Sequence, residues 1–329
     1  MWSNIFSRDY SSLGKSKIIQ KHNIDKINPE WITGFCDRSA CFGLQFTLRN
    51  PGTGRWEIKP ELRILVNIRY KNVIELIKDY FEVGTIFYSG KNVGYRVGSV
   101  KDLISVIIPH FNQYPLLSTK VCTFKLWSKA INMMYSGEHK TKEGFLIILS
   151  IYAGLNRGVS AIVSTHFPDL KPALLPAYSL NILPNELSEW WISGYFTIYC
   201  NFNVNMDPHS LKENYYDRVV PSFNFSRSIV EQPIISLLAS YFGVTANQRS
   251  DGSRTDVNIY SLNCIEVVNL LESFPLLSCK QDEFNIWAKI VKDKGRLQVK
   301  YSQISLTRYM QHFIDLDLEL DRIRKRNKS

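Results

Sequence analysis

The chain has 329 residues, of which 45% are hydrophobic and 13% aromatic, and its 40 Lys and Arg against 30 Asp and Glu give a formal net charge of +10. This length fits one large domain or two of ordinary size with a sizeable core. No stretch approaches the roughly 18 uninterrupted apolar residues of a membrane span, so no membrane partner is expected. The basic balance favours a polyanionic partner, because Lys and Arg displace counterions from phosphates.

The sequence contains none of the common catalytic or zinc-binding motifs. No CxxC pair occurs among the six cysteines and no His stands at zinc spacing from one, so reduced packing residues are expected. A GxSxG elbow, a Walker loop, HExxH and a dinucleotide fingerprint are all missing.

Residues 1–26 are a basic lead-in with several serines and few acids. The composition fits a mitochondrial targeting segment. It fits a disordered basic extension equally well.

A helix and two strands are predicted next. Asn28 is a good N-cap and Pro29 a good first-turn residue for the helix. Apolar and polar residues then alternate over 42–49 and 62–69, which is typical of strands with one buried face. The Pro-Gly-rich residues 51–54 between them predict a turn.

Another helix, a hairpin and two further helices complete the unit. The patterns predict a helix near 71–82, a hairpin through 89–92 and a helix near 101–112, followed by a helix that carries Phe124 and Trp127. The predicted order is therefore α-β-β-α-β-β-α-α.

The second half of the chain repeats this unit at an offset of 160 residues. Trp-Ile-Thr-Gly-Phe at 31–35 recurs as Trp-Ile-Ser-Gly-Tyr at 191–195, and Tyr-Pro-Leu-Leu-Ser at 114–118 recurs as Phe-Pro-Leu-Leu-Ser at 274–278. Chance agreement at one shared offset is improbable. The predicted organisation is a first repeat at 27–159, a proline-rich linker at 160–187, a second repeat at 188–318 and a basic C-terminal tail at 319–329.

This duplicated order resembles the LAGLIDADG homing endonucleases, in particular their fungal mitochondrial single-chain branch. Residues 28–35 and 189–195 resemble the openings of the two motif helices, and the resemblance covers roughly residues 27–320. It implies an α+β fold in which two αββαββαα repeats form a pseudo-twofold saddle of two antiparallel sheets over nucleic acid. It also implies a monomer, with Gly34 and Gly194 letting the motif helices approach closely.

In that family an acidic residue at the foot of each motif helix binds Mg²⁺. Aligned on the two glycines, these positions fall on Ser39 and Tyr199, whose neutral oxygens are poor ligands for a hard divalent cation. Asp37 lies two residues earlier, about 200° around the helix, so a structural hydrogen-bonding role is expected for it; its counterpart is Thr197. We therefore expect no catalytic residue and no metal or cofactor, with Mg²⁺ required only if cleavage survives through other ligands.

The first sheet is expected to contact nucleic acid through strand faces suited to base edges and phosphates. Residues 42–98 hold nine basic and five acidic residues, although a merely solvated face would leave the same pattern. The candidates are Gln45, Thr47, Arg49, Arg55, Lys59, Arg63, Asn67, Arg69, Lys91 and Arg96.

The second sheet has a different charge balance. Residues 202–260 hold five basic and six acidic residues, with Arg218, Arg249 and Arg254 as candidates for nucleic-acid contact. A protein that grips both arms of a long duplex is expected to be basic on both sheets.

This asymmetry and the missing acids favour a catalytically inactive mitochondrial protein that binds structured RNA rather than duplex DNA, as a group I intron maturase or a ribosomal-RNA-associated protein. The partner would be an intron ribonucleoprotein or the ribosome. Three alternatives stay open: a site-specific DNA-binding homing endonuclease that is inactive or uses non-standard metal ligands, an active nuclease with an unrecognised ligand set, and a decaying reading frame without a selected role.

Overall fold

The computed structural model describes residues 27–50, 55–155, 158–178, 183–206, 219–260, 263–300 and 306–328. The predicted lead-in at 1–26 and the predicted turn at 51–54 lie outside these ranges. So does Arg218, one of the candidate contact residues.

The first half begins with helix α1 (Pro29–Ser39), which Asn28 caps by accepting a hydrogen bond from the Glu30 N–H at 2.8 Å. Strands β1 (Ala40–Asn50) and β2 (Arg55–Asn67) follow, then helix α2 (Lys71–Phe81) and the hairpin β3 (Thr85–Ser89) and β4 (Asn92–Val97). The chain continues through α3 (Val100–Asp102), a π-helical turn (Leu103–Ile107), α4 (Ile108–Gln113) and α5 (Lys120–Ser136).

The second half repeats this order. It comprises α8 (Glu189–Phe196), β5 (Asn201–Met206), β6 (Val219–Ser228), α9 (Gln232–Tyr241), β7 (Ala246–Gln248), β8 (Arg254–Tyr260), α10 (Cys264–Ser273) and α11 (Lys280–Lys300). The predicted αββαββαα unit is therefore confirmed in both halves, with one π-helical turn inside the seventh element of the first.

Each half forms a four-stranded antiparallel sheet, with the orders β1-β2-β4-β3 and β5-β6-β8-β7. One face of each sheet packs on the helices, and the same bond ties the aromatic helix to the sheet in both halves. Trp127 Nε1 donates to the Gly43 carbonyl at 3.0 Å, and Trp287 Nε1 donates to the Asn203 carbonyl at 3.1 Å. The 160-residue offset seen in the sequence is thus also present in the three-dimensional contacts.

The two halves meet along α1 and α8, which we call the central helices. An added Cβ at Gly34 would overlap the Trp191 carbonyl oxygen, and one at Gly194 would overlap the Trp31 carbonyl oxygen. The backbones therefore touch at two points related by the pseudo-twofold, and only glycine fits at either.

Three further helices are additional to the two predicted αββαββαα units. Helix α6 (Lys142–Leu155) closes the first half, and α7 (Ala161–His166) occupies part of the predicted linker. Residues 319–328 are not a separate tail, because they belong to helix α12 (Leu306–Lys328). Its buried Met310, Phe313 and Leu316 pack with Val219 and Ile290 beside the second sheet. Among the described helices none is long and apolar enough to cross a membrane.

Candidate nucleic-acid interface

The ends of the central helices lie beside each other at the middle of the saddle. Ser39 is the last residue of α1, and its buried Oγ has no hydrogen-bond partner among the described residues. Tyr199 follows α8 and is 44% exposed. Arg38 lies between the halves, with its guanidinium carbon 4.3 Å from the centre of the Tyr199 ring and 5.0 Å from that of Tyr195. Burial lowers the pKa of Arg38, although the nearby tyrosines oppose this.

Asp37 is fully buried and engaged in structural hydrogen bonds. Its carboxylate accepts from the Leu117 and Ser118 N–H groups at 2.9 and 3.0 Å, from Ser118 Oγ at 2.6 Å, and from Trp191 Nε1 at 2.9 Å. It therefore ties the loop before α5 and the other central helix to α1, as a structural residue would. Burial raises its pKa and these donors oppose the rise.

The counterpart position, Thr197, makes fewer of these bonds. Its Oγ1 lies 3.0 Å from the Ser193 carbonyl and 2.8 Å from the Leu276 carbonyl. Trp31 Nε1, which corresponds to the Trp191 donor, is buried without a partner among the described residues. The two ends of the pseudo-twofold site are thus chemically different.

A cavity of about 630 Å³ opens at the foot of the central helices on the side of the second sheet. We call it the central cavity. Six cations and two carboxylates line it: Arg38, Arg69, Arg254, Lys280, Arg324 and Lys325, with Glu283 and Asp321. Arg38 gives no signal in the sequence, because its partners are rings of the other half, far along the chain.

These residues do not fit a pair of Mg²⁺ ions. Glu283 accepts from Lys280 Nζ at 3.2 Å, and Asp321 pairs with Arg324 at 3.0 Å, so both carboxylates of the cavity are engaged with cations. Ser39 and Tyr199, which the sequence comparison of the two motif helices singled out, carry a hydroxyl and a phenol. Hard divalent cations require anionic oxygens, and here an excess of positive charge would repel them.

Predicted contact residues of the first sheet share one exposed face. Register places Gln45 beside Lys59 and Arg63 beside Arg96. The guanidinium carbons of Arg63 and Arg96 lie 5.7 and 5.5 Å from the centre of the Phe87 ring, which holds both side chains on this face. Thr47, Arg49, Arg55 and Asn67 are exposed on the same sheet.

Other first-half candidates are placed less favourably. Arg49 pairs with Glu57 at 2.5 Å, so part of its charge is compensated. Lys91 is exposed in the turn between β3 and β4, at the far end of the hairpin. Arg69 lies beyond the end of β2, where its Nη1 donates to the Asn327 carbonyl at 2.8 Å and the side chain lines the central cavity.

The open face of the second sheet is rich in asparagine. Asn201, Asn224 and Asn258 form a row across three adjacent strands, and Asn201 Nδ2 donates to Asn224 Oδ1 at 3.1 Å. We call them the asparagine row. The strand pattern predicted Asn224 on a neutral polar face with Ser222 and Ser226, but no asparagine of this row was a predicted contact, because only charges were counted and an amide contributes none. Strand alternation alone could have placed them on one face.

The two described arginine candidates of this half are held by neighbours. Arg249 pairs with Asp256 at 2.6 Å. Arg254 donates to the Ser226 hydroxyl at 2.8 Å and to its carbonyl at 3.1 Å, and so keeps its full charge beside the central cavity.

Comparison with known proteins identifies relatives among intron-encoded proteins. Residues 32–131 match the model of the LAGLIDADG endonuclease family. Probable intron-encoded endonuclease 3 of Neurospora crassa is 25% identical over 283 residues, which are 84% of this chain and 52% of the relative. An uncharacterized 50.9 kDa protein in ND4 intron 1 of Podospora anserina is 34% identical over 124 residues, 37% of this chain and 27% of the relative. The chain thus spans about half the length of the first relative and about a quarter of the second.

A solved structure matches over nearly the whole fold. The LAGLIDADG homing endonuclease I-GzeII, in complex with its DNA target, superposes with a TM-score of 0.76 at 26% identity. The match covers 91% of this chain and 98% of that chain.

Proposed function

We propose that this chain, a LAGLIDADG protein with the fold of the single-chain homing endonucleases, recognises a duplex DNA site along its saddle without cutting it. The proposal depends on one observation above all. Each open sheet face presents polar side chains in register across its strands, the arginine pair Arg63 and Arg96 on one and the asparagine row on the other.

These side chains suit the base edges of a major groove. Arginine donates to the two acceptors of guanine, and asparagine forms a two-point contact with adenine. The proposed site therefore has guanine under the first sheet and adenine under the second. The major groove of B-DNA admits strands, whereas the deep, narrow major groove of duplex RNA does not admit side chains. I-GzeII is itself bound to DNA in the matching structure.

The difference in net charge between the two halves favoured RNA as the partner. This difference is smaller when only the side chains on the open sheet faces are considered than when all residues of each sheet are counted. Glu231 is one of the six acids counted for the second sheet, but it is only 5% exposed. Its carboxylate accepts from the N–H and the hydroxyl of Thr119, which belongs to the first half. Asp251 accepts from Ser253 within its own turn, and Asp256 is paired with Arg249. The three acids of this region that the structure describes therefore leave its open face close to neutral rather than acidic.

The residues at the centre of the saddle support the proposal that the bound duplex is not cleaved. Ser39 and Tyr199 supply no anionic oxygen, the carboxylate of Asp37 is buried under four donors, and cations outnumber acids in the central cavity. A divalent cation would have to displace these contacts before it could reach a scissile phosphate.

Structured RNA is the second candidate partner, as an intron or ribosomal RNA. The observation that favours it is the scarcity of uncompensated cations among the described residues of the second sheet's open face, where Arg249 is paired and the asparagine row is neutral. An RNA-binding protein of this fold would not need two basic sheets.

We also propose a mitochondrial location. The support is the name of the Podospora anserina relative, which places it in an ND4 intron, together with the basic residues at 1–26. Expression with a C-terminal fluorescent tag, with and without residues 1–26, tests this proposal. A cytosolic signal from the longer form would contradict it.

Selection from random pools tests the proposed function. The full chain is incubated with a duplex DNA pool and with a structured RNA pool, in EDTA and at matched salt, and bound molecules are sequenced. We expect a DNA consensus with guanine at one end and adenine at the other. A consensus only in the RNA pool would support the second candidate, and enrichment in neither pool would overturn both.

A further inference from the structure

We propose that the central cavity is a metal-independent phosphate site, which holds one backbone phosphate of the bound nucleic acid through arginine and lysine side chains. The inference deepens the proposed function and rests on it for the source of the phosphate. The resemblance predicts metal-binding carboxylates at the foot of the central helices, whereas the cavity at this place is lined mainly by cations.

The charge of the cavity is only partly compensated from within. Glu283 and Asp321 neutralise Lys280 and Arg324. Arg69 and Arg254 donate to neutral oxygens, the carbonyl of Asn327 and the hydroxyl and carbonyl of Ser226, so each retains its charge. Together with Arg38 and the exposed Lys325, four positive charges face one cavity of about 630 Å³. A phosphate would supply the missing negative charge.

Arg38 is the side chain that distinguishes this cavity from a solvated basic patch. Its Nε and Nη1 are buried without a hydrogen-bond partner among the described residues, and the rings of Tyr195 and Tyr199 fix the guanidinium plane. Buried guanidinium N–H groups are costly when unpaired. A fixed guanidinium matches two phosphate oxygens at once, which a mobile surface lysine cannot do.

The cavity lies where a backbone crossing the saddle would pass. Asn201, Asn203, Ser226 and Arg254 line it from the open face of the second sheet. Helix α12 completes the wall with Arg324 and Lys325, so the basic residues at 319–328 contribute to the site as part of a docked helix.

The first test uses inorganic phosphate on the full chain, with sodium chloride at matched ionic strength as reference. We expect phosphate to raise the Tm by at least about 2 °C, which corresponds to roughly 1 kcal/mol for a protein of this size. Arg254→Gln and Lys325→Gln should lose half or more of the rise. Lys129→Gln, an exposed change on α5, should keep it. An equal rise in all four proteins, or none beyond that of chloride, would overturn the site.

The second test identifies the source of the phosphate. Single phosphates of a selected duplex are replaced by neutral methylphosphonates, and binding is measured in EDTA. One or two central replacements should weaken wild-type binding about tenfold, equivalent to about 1.4 kcal/mol, and should weaken Arg254→Gln much less. Equal losses in both proteins would contradict the inference while leaving the proposed function intact. A phosphate effect on Tm without a selectable duplex would contradict the proposed function instead.

Discussion

The guanidinium carbon of Arg38 lies 4.3 Å from the centre of the Tyr199 ring, and this contact joins the ends of the two central helices across the pseudo-twofold. Arg38 belongs to the first half and Tyr199 to the second. A cation and an aromatic ring thus occupy the middle of the saddle, where a bound divalent cation would need anionic oxygens.

Removing the ring should weaken this junction. Tyr199→Ala is expected to destabilise the protein by about 1 kcal/mol, the size of a partly exposed cation–π contact, whereas Tyr199→Phe keeps the ring and should be close to neutral. Urea denaturation of both variants measures the difference. Equal losses would mean that the hydroxyl, and not the ring, carries the contribution.

The glycine contact between the central helices should tolerate no side chain. Gly34→Ala places a methyl group against the Trp191 carbonyl and should lower the free energy of unfolding by at least about 2 kcal/mol. Gly43→Ala is the matched control, since its Cβ would meet nothing closer than the Glu61 carbonyl at 3.9 Å, and a change within about 0.5 kcal/mol is expected. Similar values for the two variants would contradict this packing.

Stability should fall in mild acid because of His110. Burial lowers its pKa from 6.5 to about 4, and the neutral ring fits its contacts. Thr33 Oγ1 donates to the Tyr114 carbonyl, and it therefore accepts a hydrogen bond from His110 Nε2 at 3.1 Å. His110 Nδ1 carries no proton in this tautomer and accepts from the Tyr80 hydroxyl at 3.0 Å. As the pH falls, the unfolded chain takes up the proton at a higher pH than the folded protein does. The contribution of neutral His110 to the free energy of unfolding is therefore complete above pH 6.5 and is lost as the pH falls towards 4.

The expected loss over that interval is about 3 kcal/mol. Denaturation at neutral pH and near pH 4.5 measures it. His110→Gln should be less stable at neutral pH and should have a smaller pH dependence, while the exposed His166→Gln should keep the wild-type dependence. An unchanged pH dependence in His110→Gln would show that another group is responsible.

The arginine pair of the first sheet should carry sequence preference. Arg63→Gln or Arg96→Gln is expected to weaken binding to a selected duplex about tenfold and to relax the preference at one base pair. Lys129→Gln should change neither quantity. Fluorescence anisotropy on a panel of single-base variants measures both, and a uniform loss on every sequence would assign these arginines to phosphates instead.

Much of the fold could be predicted from the sequence, because its determinants are local or repeated. Strand alternation and the offset between Trp127 and Trp287 indicated the order of elements and the duplication. The helix at 306–328 was missed because the basic run at its end drew attention away from Met310, Phe313 and Leu320, whose spacing is helical.

The site was harder to predict because it depends on which face each residue occupies. Counting Glu231 with the second sheet suggested an acidic surface, yet it bonds Thr119 of the other half. Arg38 gave no signal, since its contacts with Tyr195 and Tyr199 exist only after the halves pair. Asp37 was assigned correctly because helix geometry alone turns it away from the position of Ser39.

The most direct test of the proposal that the saddle binds DNA without cutting it is whether binding and strand cleavage depend on a divalent metal ion. Affinity for a selected duplex, and the integrity of both strands, are measured with the full chain in EDTA, in Mg²⁺ and in Mn²⁺ at matched ionic strength. Equal affinity in all three conditions, with both strands intact, is the predicted result. Tighter binding in Mg²⁺, or a strand nicked at the centre of the site, would contradict it.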